Sequence, residues 1–503
     1  MNSRAFLAGT LFLSSVAVVL PANAKQVEVD SSPSTKIVLQ GDVGGNQNNT
    51  YIKVPFALPI GVKRVTITFR YTEKDKHTAL DLGLVDTSGL RCWSGGNKAV
   101  LTVGLSNATP SCLPGPLPAG TWNILIGVPN IRAGVTSHFT AEVYFARSGL
   151  VSREPEVLRA NLRQGPAWYR GDLHMHTAHS DGQCASQSGN KIPCPVFLTV
   201  EAAARRGLDF IAITDHNATS QYDAMRELQP YFDKVLLIPG REITTFDGHM
   251  NLLGTTSYLD FRVGSRTVPD TNTLLRNAQT LGALVSINHP EAPTGELCMG
   301  CGWTPKTPVD MRLITAVEAV NGGSELEGTY NVPFWDKELN EGHRLTGVGG
   351  SDNHNALSPP DQPSAVGNPT TVVYATELST PAILDGIRAG HVFVDATASP
   401  DRLLTMTGRT AETTAQMGDS VEAAPLTSIE FDVHTTGVDA GKISLIEDGH
   451  VFAIPVPSNA TTGTLHMQWT SDGRRHWFRP QVNGPEGKLW MIGNPIYINW
   501  AER

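Results

Sequence analysis

The sequence predicts an α/β fold: a barrel of seven β strands with interleaved helices, flanked on each side by a β-rich region. Three observations predict it. From Trp168 to about Ala396, short apolar β runs alternate with helical stretches, the pattern of a parallel α/β arrangement. Before and after that stretch the chain changes to short β segments separated by turn signals. Within it, nearly every strand candidate begins or ends with His, Asp or Glu, and the C-terminal strand ends of a parallel barrel open on one face.

At 503 residues the chain exceeds what one hydrophobic core usually spans. The expected units are an accessory β-sandwich over residues 25–160, the barrel over 161–400 and a small β-rich domain over 401–503. Hydrophobic residues at 40% and charged residues at 17% are globular proportions, which argues against disorder. A net charge of −9, with no Lys/Arg cluster, argues against a nucleic-acid polymer as partner.

Residues 1–24 follow the pattern of a secretory signal peptide. A basic start at Met1 to Arg4 leads into the apolar run AFLAGTLFLSSVAVVLP and an ANA site ending at Ala24. The alternative, an uncleaved anchor, is disfavoured because Gly9, Ser14, Ser15 and Pro21 leave the run short and weak for a spanning helix. The expectation is therefore export across the inner membrane to the periplasm, with no membrane span in the mature chain. Six cysteines fall into three sequence-local pairs: Cys92 with Cys112, Cys184 with Cys194, Cys298 with Cys301. On paper six cysteines allow fifteen connectivities. Cys298-Met-Gly-Cys301 has the spacing of half a zinc site or a redox dithiol, but no second CxxC accompanies it. Disulfides are expected in an oxidising compartment.

In order along the chain, TKIVLQGDV, RVTITFRYT, TALDLGLVD, AVLTVGL, WNILIGV and HFTAEVYF read as strands of an antiparallel sandwich. The seven barrel strands are WYRGDLHMHT, LDFIAITDHN, KVLLIPGREIT, HMNLLGTT, ALVSINHP, ITAVEAVNG and LTGVGGSDNH. Helices are expected at VFLTVEAAARRG, which Gly207 stops, and at TNTLLRNAQTLG. TSIEFDVHTT, KISLIEDGHV, TGTLHMQWTS and HWFRPQVNG return to β character.

The chemistry lies at the barrel strand ends. His174 and His176 stand at i and i+2, so alternation turns both imidazoles to one face, and Asp181 follows in the turn. His216 closes the second strand, Glu242 the third, and His249 opens the fourth; His289 follows the fifth, and Asp352 and His354 follow the seventh. A lone strand-end His is usually a hydrogen-bonded structural residue, and a lone Asp a helix cap. Six segments carrying such residues together point instead to metal. Imidazole plus carboxylate without thiolate suits divalent Mn, Zn or Fe, and a zinc finger is excluded for want of paired Cys/His spacing. Nine ligands fit two or three ions with one shared carboxylate, and Glu242 is the only Glu among them.

The runs DLHMHTAHSDG, AITDHN, INHP and GGSDNH resemble the four motifs of the polymerase and histidinol phosphatase (PHP) superfamily. The upstream stretch RCWSGGNKAVLTVG…LPGPLPAGTWNILIG resembles its carbaryl-hydrolase-like (CehA/McbA) branch. The resemblance implies a distorted (β/α)7 PHP barrel with a two- or three-metal centre. By similarity, His174, His176, Glu242 and Asp352 hold a first ion, and Glu242, His249 and His289 a second. Asp181, His216 and His354 match a third site, which some members use for substrate or proton transfer. Glu318 and Asn321 match an E-x-x-N-G that supports the ligands or shapes the loop. His179 is read as a rim residue and His343 as a surface helix residue.

The implied reaction is hydrolysis of a small-molecule ester by metal-bridged hydroxide, with His216 or His354 protonating the leaving group. Phosphoester hydrolysis is the superfamily's dominant chemistry. The branch implies carboxyl-ester or carbamate hydrolysis instead, and a non-catalytic binding module would be marked by missing ligands, whereas every position is filled. A phosphate site wants cations at the mouth; only Arg241, Arg344 and Lys306 offer themselves, and alternation points Arg241 away. An apolar pocket would draw on the 291–309 loop with Trp303. Oligomeric state is not legible.

Overall fold

The computed structural model describes residues 35–94, 98–147, 161–294, 298, 300–322, 331–452, 456–457 and 462–500. The signal-peptide reading of 1–24 lies outside them. No helix among the described residues is long and apolar enough to cross a membrane.

Eight strands come first: β1 (Thr35–Gly44), β2 (Thr50–Leu58), β3 (Arg64–Tyr71), β4 (Ala79–Val85), β5 (Leu90–Trp93), β6 (Val100–Gly104), β7 (Gly120–Asn130) and β8 (Thr136–Ala146). They form two antiparallel sheets, ordered β1-β8-β3-β6 and β2-β7-β4-β5. Strict alternation does the work: along β7, Trp122, Ile124, Ile126 and Val128 face a shared core with Val65, Ile67 and Phe145 of the other sheet. β2 carries Pro55, which a central ladder would not tolerate, and it lies at a sheet edge.

Each of the seven central segments expected to be extended contains a strand. They are β9 (Arg163–Asp172), then, after the hairpin β10 (Gln183–Ala185) and β11 (Lys191–Pro193), β12 (Phe210–Ile213), β13 (Leu236–Thr244), β14 (His249–Leu253), β15 (Leu284–Ile287), β16 (Ala316–Asn321) and β17 (Thr346–Gly350). They hydrogen-bond in sequence order. A parallel bridge between Met175 and Asn353 joins the segment after β9 to the segment after β17. β12, β15 and β17 are buried at every residue, the mark of strands covered on both faces.

One strand departs from the parallel expectation. β14 runs antiparallel to both β13 and β15, because residues 245–248 form a hairpin rather than a crossover. Helices are few: α1 (Val196–Arg205), α2 (Gln221–Leu228), α3 (Thr271–Thr280), α4 (Val332–Glu341) and α5 (Thr380–Ala389). α1 ends where Gly207 takes a positive φ, as expected, and the Asp270 carboxylate caps α3 by accepting from the Thr273 N–H at 2.7 Å. His343 lies just beyond α4 rather than on it, and its imidazole meets Glu338 at 2.7 Å.

The C-terminal strands extend the same sheet. β18 (Thr370–Leu378) pairs antiparallel with β9, β19 (Val392–Asp395) with β18, and the strand Leu489–Gly493 with β19. One hydrogen-bonded sheet thus holds strands from both sides of the boundary expected near residue 400, which itself lies in the turn after β19. All three cysteine pairs are disulfide-bonded.

Candidate metal centre

The strand ends converge. His174 and His176 lie just past β9, held there by the backbone: the Asp352 N–H donates to the His174 carbonyl and the His176 N–H to the Asn353 carbonyl, at 2.9 and 2.8 Å. The buried Asp172 carboxylate fastens this seam by accepting from the N–H groups of His174, Ser351 and Gly367. Glu242 sits inside β13. The reversal of β14 explains how His249 joins it: at a hairpin, the start of one strand lies beside the end of the other, and His249 pairs with Thr244.

Glu242 is the hub. Its carboxylate lies 3.3 Å from His174 Nε2, 2.7 Å from His216 Nδ1, 3.3 Å from His249 Nδ1 and 3.2 Å from His289 Nε2. Asp352 Oδ1 stands 3.1 Å from His176 Nε2 and 3.3 Å from His174 Nε2. Further out, Asp181 is 3.6 Å from His216 Nε2, 3.4 Å from His354 Nε2 and 3.8 Å from His176 Nδ1. All nine expected residues thus share one site. Their ligand atoms include three groups compact enough for a cation: His174, Glu242 and His289; His174, His176 and Asp352; and His176, Asp181, His216 and His354.

The donor chemistry fits cations. His174 Nδ1 meets Glu318 at 2.7 Å, His289 Nδ1 donates to the Cys301 carbonyl at 3.2 Å, and His354 Nδ1 donates to the Asp352 carbonyl at 2.9 Å. A proton fixed on Nδ1 leaves the Nε2 lone pair aimed at the cluster, the tautomer a metal requires. His174 Nε2 and His176 Nε2 face each other at 3.1 Å. Both nitrogens of His249 and Oε2 of Glu242 are buried without a hydrogen-bond partner among the described residues. Buried polar atoms are rarely left so, and shared coordination of an ion would satisfy them.

Electrostatics say the same. Burial works against a proton on His174, but Asp352, Glu318 and Glu242 outweigh it and push its pKa well above the usual imidazole range. Burial also opposes charge on His216 and His354, yet Asp181 and its neighbouring carboxylates push them up to about 10 and about 9. His176 is the exception, lowered by burial and by its neighbour His354. Despite burial, Glu242 and Asp352 are held well below the carboxylate range by the surrounding imidazoles. The carboxylates demand cations, and protons compete for that place.

Backbone geometry is unusual at the same residues. His289 and Asp352 have φ of 27° and 53°, a conformation that costs on the order of 1–3 kcal/mol and tends to gather at functional sites. Gly350 has no room for a side chain: a Cβ there would strike Glu318 Oε1 and come within 2.5 Å of His174 Cβ.

Several residues had no role assigned from sequence. Asn288 Nδ2 donates to Glu242 at 2.9 Å, Thr244 Oγ1 contacts His216 Nδ1 at 2.6 Å, and Asp215 accepts from Thr177 and Ser180 in the loop carrying Asp181. All lie inside or beside the strand-end runs, but alternation does not show side-chain hydrogen bonds. Glu318 lies against His174, and its second oxygen accepts from the His289 N–H and from Asn321. His179 lies on the rim against Ser220. Arg241 takes no part: it is buried, and its guanidinium donates to the Ser257 carbonyl. Arg344 donates to the Gly418 carbonyl and stacks on Tyr497, and Lys306 pairs with Asp247 at 3.4 Å. Trp303 packs against Gly248, next to His249.

No protein-family model matches the chain, and no curated protein matches it. Among solved structures it is similar to a two-domain protein from Bacteroides vulgatus ATCC 8482 that contains a predicted PHP-like metal-dependent phosphoesterase. The TM-score is 0.38 at 19% sequence identity, over 68% of this chain and 99% of that one.

Proposed function

We propose that this chain is an exported, metal-dependent hydrolase of small-molecule esters, with phosphoesters as the leading substrate class. The observation that carries the reading is the Glu242 carboxylate ringed by five imidazoles, those of His174, His176, His216, His249 and His289, with buried Glu242 and His249 atoms left without a hydrogen-bond partner among the described residues. The sequential ring of strands joined at Met175 and Asn353 supports a distorted (β/α)7 barrel of the PHP type. The signal-like residues 1–24 and the three disulfides support a periplasmic location.

In this reading His174, His176, Glu242 and Asp352 hold one divalent ion, and Glu242, His249 and His289 a second. Such ions, whether Mn, Zn or Fe, supply Lewis-acid polarisation and activate water near neutral pH. Glu318 and the Cys301 carbonyl hold His174 and His289 in the ligand tautomer. Asp181, His216 and His354 either hold a third ion or move protons. As a proton-transfer group, His354 keeps Nδ1 on a backbone carbonyl and carries its mobile proton on Nε2, facing Asp181 and half-open to solvent.

The mouth favours a second reading. The cations considered for phosphate are committed elsewhere, and Phe246 is 86% exposed in the hairpin between Glu242 and His249. Together with Trp303, this suits an uncharged carboxyl ester or carbamate. The two are separated by assaying periplasmic protein loaded with Mn, Zn or Fe against bis(p-nitrophenyl) phosphate, p-nitrophenyl phosphate, 1-naphthyl acetate and a 1-naphthyl carbamate. Turnover confined to the carbon esters overturns the phosphoester assignment. Fewer than two ions per chain overturns the polynuclear centre.

A further inference from the structure

We propose that the outer face of the β2-β7-β4-β5 sheet is a binding platform for a neutral saccharide, built on Trp93 and Tyr51. It uses none of the residues of the metal centre. Trp93 lies on the edge strand β5, yet its indole reaches across two strands: a Cβ on Gly83 of β4 would lie 2.7 Å from the ring, and one on Gly127 of β7 also 2.7 Å. Glycine inside a strand weakens it and commonly marks a close approach. Two such positions let the indole lie against the sheet with its other side outward.

From the opposite edge, Tyr51 on β2 completes a corner. The ring centroids are 5.8 Å apart at 59°, and Tyr51 is 72% exposed. Alternation and register put Lys53, Asp81 and Asn123 on this same face, since their neighbours Val54, Leu82 and Ile124 face the core. None of these three side chains, nor the Trp93 N–H, has a hydrogen-bond partner among the described residues. An aromatic corner fringed by a carboxylate, an amide and an ammonium matches a sugar ring, which offers apolar C–H groups on its faces and hydroxyls at its edge.

Other occupants fit less well. Two rings and three polar groups fall far short of the roughly 800 Å² per partner of a stable protein interface. One Lys beside one Asp offers no net positive charge to a polyanion or an anionic membrane.

The test is affinity electrophoresis of the full exported protein through gels containing soluble β-glucan, mannan, xylan or, as the acidic counterpart, polygalacturonate. At least one neutral polymer is expected to retard the protein. Tyr51→Ala should weaken retardation about three- to tenfold, with metal content and esterase turnover unchanged. Asp81→Asn should weaken it further while leaving Trp93 in place, which covers the case where Trp93→Ala fails to fold. Retardation by polygalacturonate alone, or by no polymer, overturns the proposal. So does retardation that both variants leave intact, or a concentration-dependent dimer in sedimentation that Tyr51→Ala abolishes.

Discussion

The two halves of the candidate metal centre are built on different principles. The inner half, around Glu242, His174, His249 and His289, comes from strand ends and a hairpin and is almost wholly buried. Two of its imidazoles, His174 and His289, are fixed by the Glu318 carboxylate and the Cys301 carbonyl. The outer half, Asp181, His216 and His354, sits on loops, with side chains 53%, 28% and 42% exposed. The inner half is dry and pre-organised, and it leaves polar atoms unpartnered. The outer half is wet and can satisfy itself with protons. Preorganisation of this kind suits tight binding, and solvent access suits exchange of protons or of a weaker ion.

The largest effect should come from breaking the inner hub. Glu242→Gln keeps the shape but removes the charge that faces five imidazoles. Turnover should fall on the order of 10³-fold, and at least one ion per chain should be lost, as read by plasma emission on dialysed protein. A variant with full metal content and unimpaired turnover would refute the hub role. Next is the support behind it. Glu318→Ala frees His174 Nδ1 and removes the acceptor of the His289 N–H, so metal affinity should drop about 10- to 100-fold. Gly350→Ala should mimic this from the other side, because its new Cβ would displace both Glu318 and His174. If Gly350→Ala binds metal normally, the crowding inferred there is relieved elsewhere.

Much of the inner half was legible because its logic is local. His-x-His on a strand, a carboxylate at a strand end and Asn-His-Pro after an apolar run each declare a direction by alternation alone. The reversal of β14 was not legible, because alternation is the same whichever way a strand runs. Only the pairing of Thr244 with His249 gives its sense. Nor could spacing reveal that Arg344 stacks on Tyr497, or that the C-terminal strands continue the central sheet through β19. Those depend on contacts across long stretches of chain, for which the sequence holds no period.

A smaller effect is expected from the outer half. Asp181→Asn should leave the inner ions in place, remove at most one ion, and lower turnover roughly tenfold, the low end for the partner of a functional imidazole. Loss of all metal in this variant would erase the distinction between the halves.

The finest test of that distinction is proton release. Without an ion, His216 and His354 hold their protons up to about pH 10 and about pH 9, while Asp181 stays ionised far below the usual range. The sign follows for each. The raised imidazoles stabilise the metal-free fold below pH 6.5 and through neutrality, and that contribution fades as pH rises past 9 to 10. The depressed carboxylate contributes above its ordinary range and fades only in strong acid. An ion entering the outer half must therefore expel imidazolium protons at pH 7. Its apparent affinity should climb with pH by up to about tenfold per unit for each proton displaced, levelling off near pH 10. Titration calorimetry at pH 7 in buffers of different ionisation enthalpy counts those protons. Asp181→Asn should reduce the count, since it removes the charge that holds them. An outer ion that binds with no proton release would mean these imidazoles are already neutral, and the contrast between a dry half and a proton-filled half would fail.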